Sequence, residues 1–465
     1  MMNRRQAIAA LAATPLLPAT AWARDFDERY RPQVHFSPAK NWTNDPNGLI
    51  YHNGRYHLFF QHNPFGADWG HMSWGHAVSR DLFDWRELPV AIPEDHEAMI
   101  FSGSIVSDDA NTSGFGTAEN PPLVAIYTAH QPQTEIQAQH IAYSLDQGLT
   151  WTKYAGNPVI ALAMKDFRDP KVIRCDDHWL MVVARSAERQ VAFYRSHDLK
   201  QWRETGRFGP AGAVDGVWEC PDLIRFDEGG RWLLKVDASP LKPGSGCGGQ
   251  AFIGRFDGTA FSADANLPLD LGEDYYASAS WNGLPAGRHI AIGWMANPRY
   301  AGQQPTAPWR GAMSIPRELS LRGNTLLQTP VRELARLERN RRTVEPGLLF
   351  AAGAHDPARR LRLKGGVFTL EVRDAEAAIL TVRSDGTRLA VARLAPALPT
   401  FVSQHSLPLA VGDLDVIFDR ASVEVFANGG ERTISELMFP RTGAYQVTLK
   451  GDVTLALAEL QPIRG

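Results

Sequence analysis

Short runs rich in strand formers, each closed by turn residues, recur along most of this chain. Gly48-Leu49-Ile50-Tyr51 and Arg55-Tyr56-His57-Leu58-Phe59-Phe60 make such a pair, and His52-Asn53-Gly54 between them carries the Asn-Gly signal of a hairpin. Far downstream, Leu414-Asp415-Val416-Ile417-Phe418 and Ser422-Val423-Glu424-Val425-Phe426 alternate in the same manner, ahead of the turn Ala427-Asn428-Gly429-Gly430. Long amphipathic helical patterns are scarce. The exception is Val331-Arg332-Glu333-Leu334-Ala335-Arg336-Leu337-Glu338, whose apolar residues at i, i+3 and i+6 predict a short helix. The pattern is that of an all-β protein.

One unit repeats. Ser79-Arg80-Asp81-Leu82-Phe83-Asp84-Trp85, Ser144-Leu145-Asp146-Gln147-Gly148-Leu149-Thr150-Trp151 and Ser196-His197-Asp198-Leu199-Lys200-Gln201-Trp202 each read as a strand ending in Ser-x-Asp, a turn, then Trp. Arg255-Phe256-Asp257-Gly258-Thr259-Ala260-Phe261 is a degenerate fourth copy. The aspartates fall 65, 52 and 59 positions apart, somewhat longer than the period of common propeller blades. Each copy predicts the outer hairpin of a four-stranded blade, so residues 30–320 are expected to form five blades around an axial cavity. Residues 321–344 are expected to be a linker holding the short helix and the basic stretch Arg339-Asn340-Arg341-Arg342. Residues 345–465 return to alternating strands, most simply a β-sandwich.

Composition narrows the function classes. The 465 residues suit two or three domains, and the formal charge of −3 points to neither nucleic acid nor an anionic membrane as partner. The first 23 residues read as an export signal: Asn3-Arg4-Arg5-Gln6 precedes an apolar run, and Ala21-Trp22-Ala23 offers a cleavage site after Ala23. The paired arginines resemble a twin-arginine signal, so a periplasmic or extracellular protein is expected, and losing Arg4 and Arg5 would take the charge from −3 to −5. Cys175, Cys220 and Cys247 make no disulfide framework and show no metal-ligand spacing. Pairing of Cys175 with Cys247 stays open, and Cys220 reads first as a small buried hydrophobe.

A propeller gathers chemistry from several blades at one axial pocket, so its acidic groups should lie far apart in sequence. Asn44-Asp45-Pro46-Asn47-Gly48 places Asp45 in a turn built from residues that tolerate unusual backbone angles. Taken alone, it reads first as an Asx-turn. Phe167-Arg168-Asp169-Pro170-Lys171-Val172 and Val217-Trp218-Glu219-Cys220-Pro221-Asp222-Leu223 add Asp169 and Glu219. In isolation Arg168-Asp169 is more often a surface ion pair, and Glu-Cys-Pro says little.

Together these motifs make the chain resemble the family-32 glycoside hydrolases, the invertase, levanase and inulinase group that attacks β-fructofuranosyl linkages. The Asn-Asp-Pro-Asn-Gly, Arg-Asp-Pro and Glu-Cys motifs occur in order. They are joined by Gln61-His62-Asn63-Pro64, Trp69-Gly70-His71-Met72-Ser73-Trp74-Gly75-His76, Phe101-Ser102-Gly103-Ser104, Tyr275-Tyr276-Ala277-Ser278 and Met313-Ser314-Ile315-Pro316-Arg317-Glu318-Leu319. The resemblance implies a five-bladed propeller with a C-terminal sandwich, residues 422–426 being similar to the family's sandwich signature. It implies Asp45 as nucleophile, Glu219 as general acid and base, and Asp169 as stabiliser of the oxocarbenium-like transition state. Asn44, Asn47, Gln61, Trp69, Phe101, Ser102, Arg168 and Trp294 would bind substrate, and no metal or organic cofactor is implied. A retaining mechanism needs an ionised carboxylate and a protonated carboxyl about 5 to 5.5 Å apart. Trp218 and the other two carboxylates are the expected neighbours that separate their proton affinities.

Two departures stand out. Trp42-Thr43-Asn44 replaces the Trp-Met-Asn of many relatives, and Ala296-Asn297-Pro298-Arg299-Tyr300, after Gly293-Trp294-Met295, lacks the second aromatic expected of levanase-like members. The expectation is hydrolysis of terminal fructose from levan, inulin or sucrose, by a monomer or homodimer. Fructosyl transfer, endo-cleavage, action on arabinan by a related five-bladed architecture, and a non-catalytic sugar-binding propeller are the alternatives.

Overall fold

A computed structural model describes residues 28–226, 228–239, 246–353, 356–394 and 401–461. Residues 1–23, expected to be an export signal, lie outside the described residues. Among those described, no helix is long and apolar enough to cross a membrane.

The alternating runs fold into five sheets of a propeller and two of a sandwich. The inner strands of blades I to V are Asn41–His52, Met99–Ser107, Phe167–Cys175, Val217–Phe226 and Tyr276–Ser280. Each touches the next, and the last touches the first, so they enclose the axis. A two-residue strand, Trp309–Arg310, joins blade I in parallel beside Asn41 and Trp42. Asn282 exchanges backbone hydrogen bonds with Leu49 and Tyr51, which helps to seal blade V against blade I.

The Ser-x-Asp repeats close the outer hairpins of blades I to III for an identifiable reason. Asp81 Oδ1 accepts the backbone N–H groups of Phe83 and Asp84, Ser79 Oγ accepts that of Leu82, and Trp85 Nε1 donates back to the Leu82 carbonyl. Asp146 with Trp151 and Asp198 with Trp202 repeat the pattern. The aspartate satisfies turn donors that the ladder leaves open, and the indole ring staples the turn to the blade. In blade IV, Asp257 does the same work with Phe261 in place of the tryptophan.

Two boundaries differ from expectation. Residues 321–344 are not a linker: Arg317–Arg322 and Thr325–Pro330 are the outer hairpin of blade V, and Glu338–Val344 is an edge strand of the sandwich paired with Thr454–Leu460. Between them, Arg332–Leu337 is a 3₁₀ helix with Leu334 and Leu337 buried. Val331, Leu334 and Leu337 are buried at a spacing of three while Ala335, at i+4 from Val331, is exposed, which suits the three-residue turn of a 3₁₀ helix better than an α-helix.

The sandwich packs two six-stranded sheets around Leu361, Leu370, Val382, Val416 and Val447, all essentially unexposed. Its hairpin Ser422–Ala427 and Arg432–Leu437 grips the propeller through buried charge. Glu424, fully buried, accepts from His35 Nε2 (2.9 Å), Arg317 Nη2 (2.9 Å) and the Ile315 N–H (2.7 Å). The alternation in residues 422–426 that looks like a strand signature therefore also delivers the acid that clamps the two domains.

Candidate active site

Every inner strand breaks register near its start. The interruptions fall between Thr43 and Pro46, Ile100 and Gly103, Arg168 and Lys171, Glu219 and Asp222, and Tyr276 and Ala279. Asp169, Cys220 and Ala277 at these points have φ of 65°, 48° and 50°. Bulges of this kind bend a strand and re-aim its side chains. Pro170 and Pro221 fall inside the interruptions, where no ladder N–H is required, and Pro46 closes the interruption of blade I, where the ladder resumes opposite Phe60. Asp169-Pro170 and Cys220-Pro221 are thus the bulges themselves, and in blade I the bulge is Asn44-Asp45. Gly48 (φ 54°) is bound to glycine, since a Cβ would lie 2.7 Å from Ile105 and 2.9 Å from Phe59.

The bulges bring Asp45, Asp169 and Glu219 into one cluster. Asp45 accepts from Ser102 Oγ (2.6 Å) and Asn44 Nδ2 (3.0 Å), and Trp42 Nε1 fixes Asn44 from behind (2.7 Å). Asp169 accepts the Cys220 N–H (2.9 Å). The Cys220 thiol sits between the two aspartates, 3.5 Å from Asp45 Oδ2 and 3.6 Å from Asp169 Oδ2, so Cys220 belongs to the site and is not core filler. Arg168 donates to Glu219 Oε1 (3.0 Å), to Asp166 (2.5 Å) and to Gln137 (3.3 Å), while its Nε lies 4.0 Å from Asp169. Tyr276 donates to the other Glu219 oxygen.

Burial raises the Asp45 carboxyl above its ordinary range, opposed by the Ser102 and Asn44 hydrogen bonds and aided by the charge on Glu219. Asp169 is pushed up to about 7, chiefly by burial, with Arg168 pulling down and Asp45 and Glu219 pushing up. Three carboxyl groups facing one guanidinium cannot all ionise cheaply, which is why Asp45 and Asp169 both lie above the ordinary range.

The remaining predicted residues divide into two groups. Phe101 stacks on His130 (4.5 Å, 9°), and Trp69, 55 % exposed, meets Phe101 edge-on at 6.1 Å, making an aromatic wall. Asn47, Gln61 and Trp294, expected to touch substrate, are 0 %, 2 % and 3 % exposed. Asn47 accepts from Gln61 Nε2 (2.8 Å) and donates to Ser102 Oγ (3.2 Å), so this pair steadies the hydroxyl that holds Asp45. Trp294 packs on Trp42 (5.9 Å) behind Asn44. Trp218 is not the neighbour of Glu219 that was expected. It is fully buried and points into the blade, against Phe252, because successive residues of a strand face opposite ways. Tyr276 stands in its place. All three cysteines are free.

Comparison with known proteins decides the family. Residues 35–330 match the glycosyl hydrolases family 32 N-terminal domain and residues 362–460 match the family 32 C-terminal domain. The chain belongs to glycosyl hydrolase family 32. Among the curated family members similar to it are a levanase of Bacillus subtilis, 40 % identical over 94 % of this chain and 71 % of that one, and an extracellular exo-inulinase of Aspergillus awamori, 38 % identical over 93 % and 94 %. The crystal structure of the A. awamori exo-inulinase superposes with a TM-score of 0.86 at 36 % identity, over 94 % of this chain and 99 % of that one. For a family-32 chain, the contact that sequence reasoning missed is the Tyr276 hydroxyl on Glu219. The Tyr275-Tyr276-Ala277-Ser278 motif was visible, but no periodicity tells which tyrosine faces the axis once a bulge intervenes.

Proposed function

We propose that the protein hydrolyses terminal β-D-fructofuranosyl linkages of fructans such as levan and inulin, and of sucrose, with retention of configuration. The observation that carries this reading is the convergence of Asp45, Asp169 and Glu219 from three blades on one thiol and one guanidinium. Similarity to a levanase and an exo-inulinase supports it.

In this reading Asp45 attacks the anomeric carbon while Glu219 protonates the departing glycosidic oxygen. Glu219 then takes a proton from the water that releases fructose from Asp45. Ser102 and Asn44 leave Asp45 one rotamer, which supplies the orientation that nucleophilic attack requires. Asp169, locked by the Cys220 N–H, holds fructose hydroxyls as charge develops on the ring. Arg168 and Tyr276 hold the Glu219 carboxyl between them until substrate arrives. The aromatic wall of Trp69 and Phe101 gives the sugar an apolar face. Export from the cytoplasm fits polymeric substrates that cannot enter a cell.

The deciding experiment is a time course of products from sucrose, inulin and levan, read by chromatography. Free fructose appearing first, with few oligosaccharides, is the expected result. An early oligosaccharide ladder would replace terminal hydrolysis with endo-cleavage or transfer, and no product from any of the three would remove the proposal.

A further inference from the structure

Beneath the carboxylates lies a buried ion pair that takes no part in the chemistry above. Lys235 and Asp237 stand two residues apart on Arg231–Ser239, the second strand of blade IV, and so share a face. They are 2 % and 0 % exposed. Lys235 Nζ donates to the Cys220 carbonyl (3.0 Å), to the Ser278 carbonyl (2.7 Å) and to Asp237 Oδ2. One ammonium group therefore ties the inner strands of blades IV and V together at their bulges. Asp237 lies directly opposite Glu219 in the antiparallel ladder. Both side chains leave the same face, with Cβ atoms about 4.5 to 5.5 Å apart. Asp237 Oδ1 has no hydrogen-bond partner among the described residues. A buried carboxylate left half-satisfied costs more than an apolar residue of the same size, so strand pairing and packing alone do not account for it.

We propose that Lys235 and Asp237 are positioning residues for the reaction. The charge of Asp237 behind Glu219, balanced by Lys235 under the Cys220 carbonyl, sets the pH range in which Asp45 is ionised while Glu219 carries a proton. The inference rests on the roles given to Asp45 and Glu219 above. The groups facing Asp237 are Lys235 on its own strand, Glu219 and Cys220 on the inner strand of blade IV, Asp45 from blade I, Tyr276 from blade V and the thiol of Cys247. Asp222 lies beyond Lys235 and faces Lys171 at 3.5 Å. Burial and the charges on Glu219 and Asp45 raise Asp237 above the ordinary carboxylate range, and the Lys235 ammonium in contact with it pulls it back toward the ionised form. Held against the Lys235 ammonium, the Asp237 carboxylate stands across the ladder from Glu219, so its negative charge lies directly behind the acidic cluster.

The test is the pH dependence of kcat/KM on sucrose for the wild-type protein, Asp237→Asn, and the doubly neutral Asp237→Asn with Lys235→Gln. In Asp237→Asn a positive charge remains under the site without its partner. Both limbs of the bell then move to lower pH by about one unit, while KM at the new optimum stays within about twofold, because neither residue reaches substrate. Neutralising Lys235 as well brings the limbs back most of the way. Should Asp237→Asn not fold, Lys235→Gln alone carries the test with the opposite sign, its limbs moving up. Limbs that stay in place while the rate falls would reduce the pair to a structural brace and overturn the proposal. A wild-type protein that hydrolyses no fructoside is a different failure, that of the reading of Asp45 and Glu219.

Discussion

His35 gives the sharpest stability prediction. It is fully buried between the domains, with Nδ1 on Asp419 (2.8 Å) and Nε2 on Glu424 (2.9 Å). Burial opposes its charge, but the two carboxylates outweigh burial and raise the imidazole from 6.5 to about 9. A tenfold change in proton affinity is worth about 1.4 kcal/mol, so the imidazolium contributes about 3 kcal/mol. Because the folded value lies above the unfolded one, this stability is fully present below pH 6.5 and is lost as pH rises through about 9. His57 and His140, held down to about 4 by burial, titrate below that window and leave it clear. His405, raised to about 9 by Glu273 and Glu436 against burial, keeps its own share of the slope in any His35 variant. In His35→Gln, Asp419 retains the backbone N–H groups of Gln33 and Val34, and Glu424 retains Arg317, so both acids stay ionised. Urea unfolding followed by tryptophan fluorescence should show the variant about 3 kcal/mol less stable at pH 6 and most of that gap closed by pH 9.5. An equal gap at both pH values would refute the electrostatic account and leave only lost packing.

Other outcomes follow from the same contacts. Asp45→Asn and Glu219→Gln should each lower turnover on sucrose by several orders of magnitude with unchanged thermal melts; near-normal activity in either removes that residue from the mechanism. Ser102→Ala deletes a hydrogen bond to a charged carboxylate (2.6 Å), about 1.5 to 3 kcal/mol, and should cost about 10- to 100-fold in kcat/KM. A loss below threefold would mean that Asn44 alone aligns Asp45. Arg317→Met strands Asp270 and Glu424, each 2.9 Å from the guanidinium and all three groups unexposed, and should destabilise the protein by about 3 to 5 kcal/mol in urea. A change under 1 kcal/mol would show that Tyr275, stacked under Arg317 at 3.7 Å, and the surrounding packing carry the interface instead.

Much of the architecture was legible because it depends on local chemistry. An Asp that accepts turn N–H groups and a Trp that staples the turn act within seven residues or so, and Asp81, Asp146 and Asp198 announced the blades before any contact was known. The helix at 332–337 was legible in place but not in kind, and the strands at 325–330 and 338–344 were hidden. Glu338-Arg339-Asn340-Arg341-Arg342 is an edge strand whose arginines are exposed, whose Asn340 donates to Glu459 and whose Glu338 pairs with Arg360 and Arg362, with no apolar alternation to betray it.

The site shows the same division. By itself the sequence determined which residues are acidic, where prolines break the ladder, and that Asp45, Asp169 and Glu219 belong together by motif. Only the tertiary structure decided which way each side chain points. Successive residues of a strand face opposite ways and bulges re-aim them, so Tyr276 meets Glu219, Trp218 turns into the blade, and Asn47 and Gln61 pair with each other beside Ser102. The tertiary structure also decided what lies underneath. Lys235, Asp237, His35 and Glu424 are unremarkable residues in one dimension, and they acquire their charges' consequences only when five blades and a sandwich exclude water from around them.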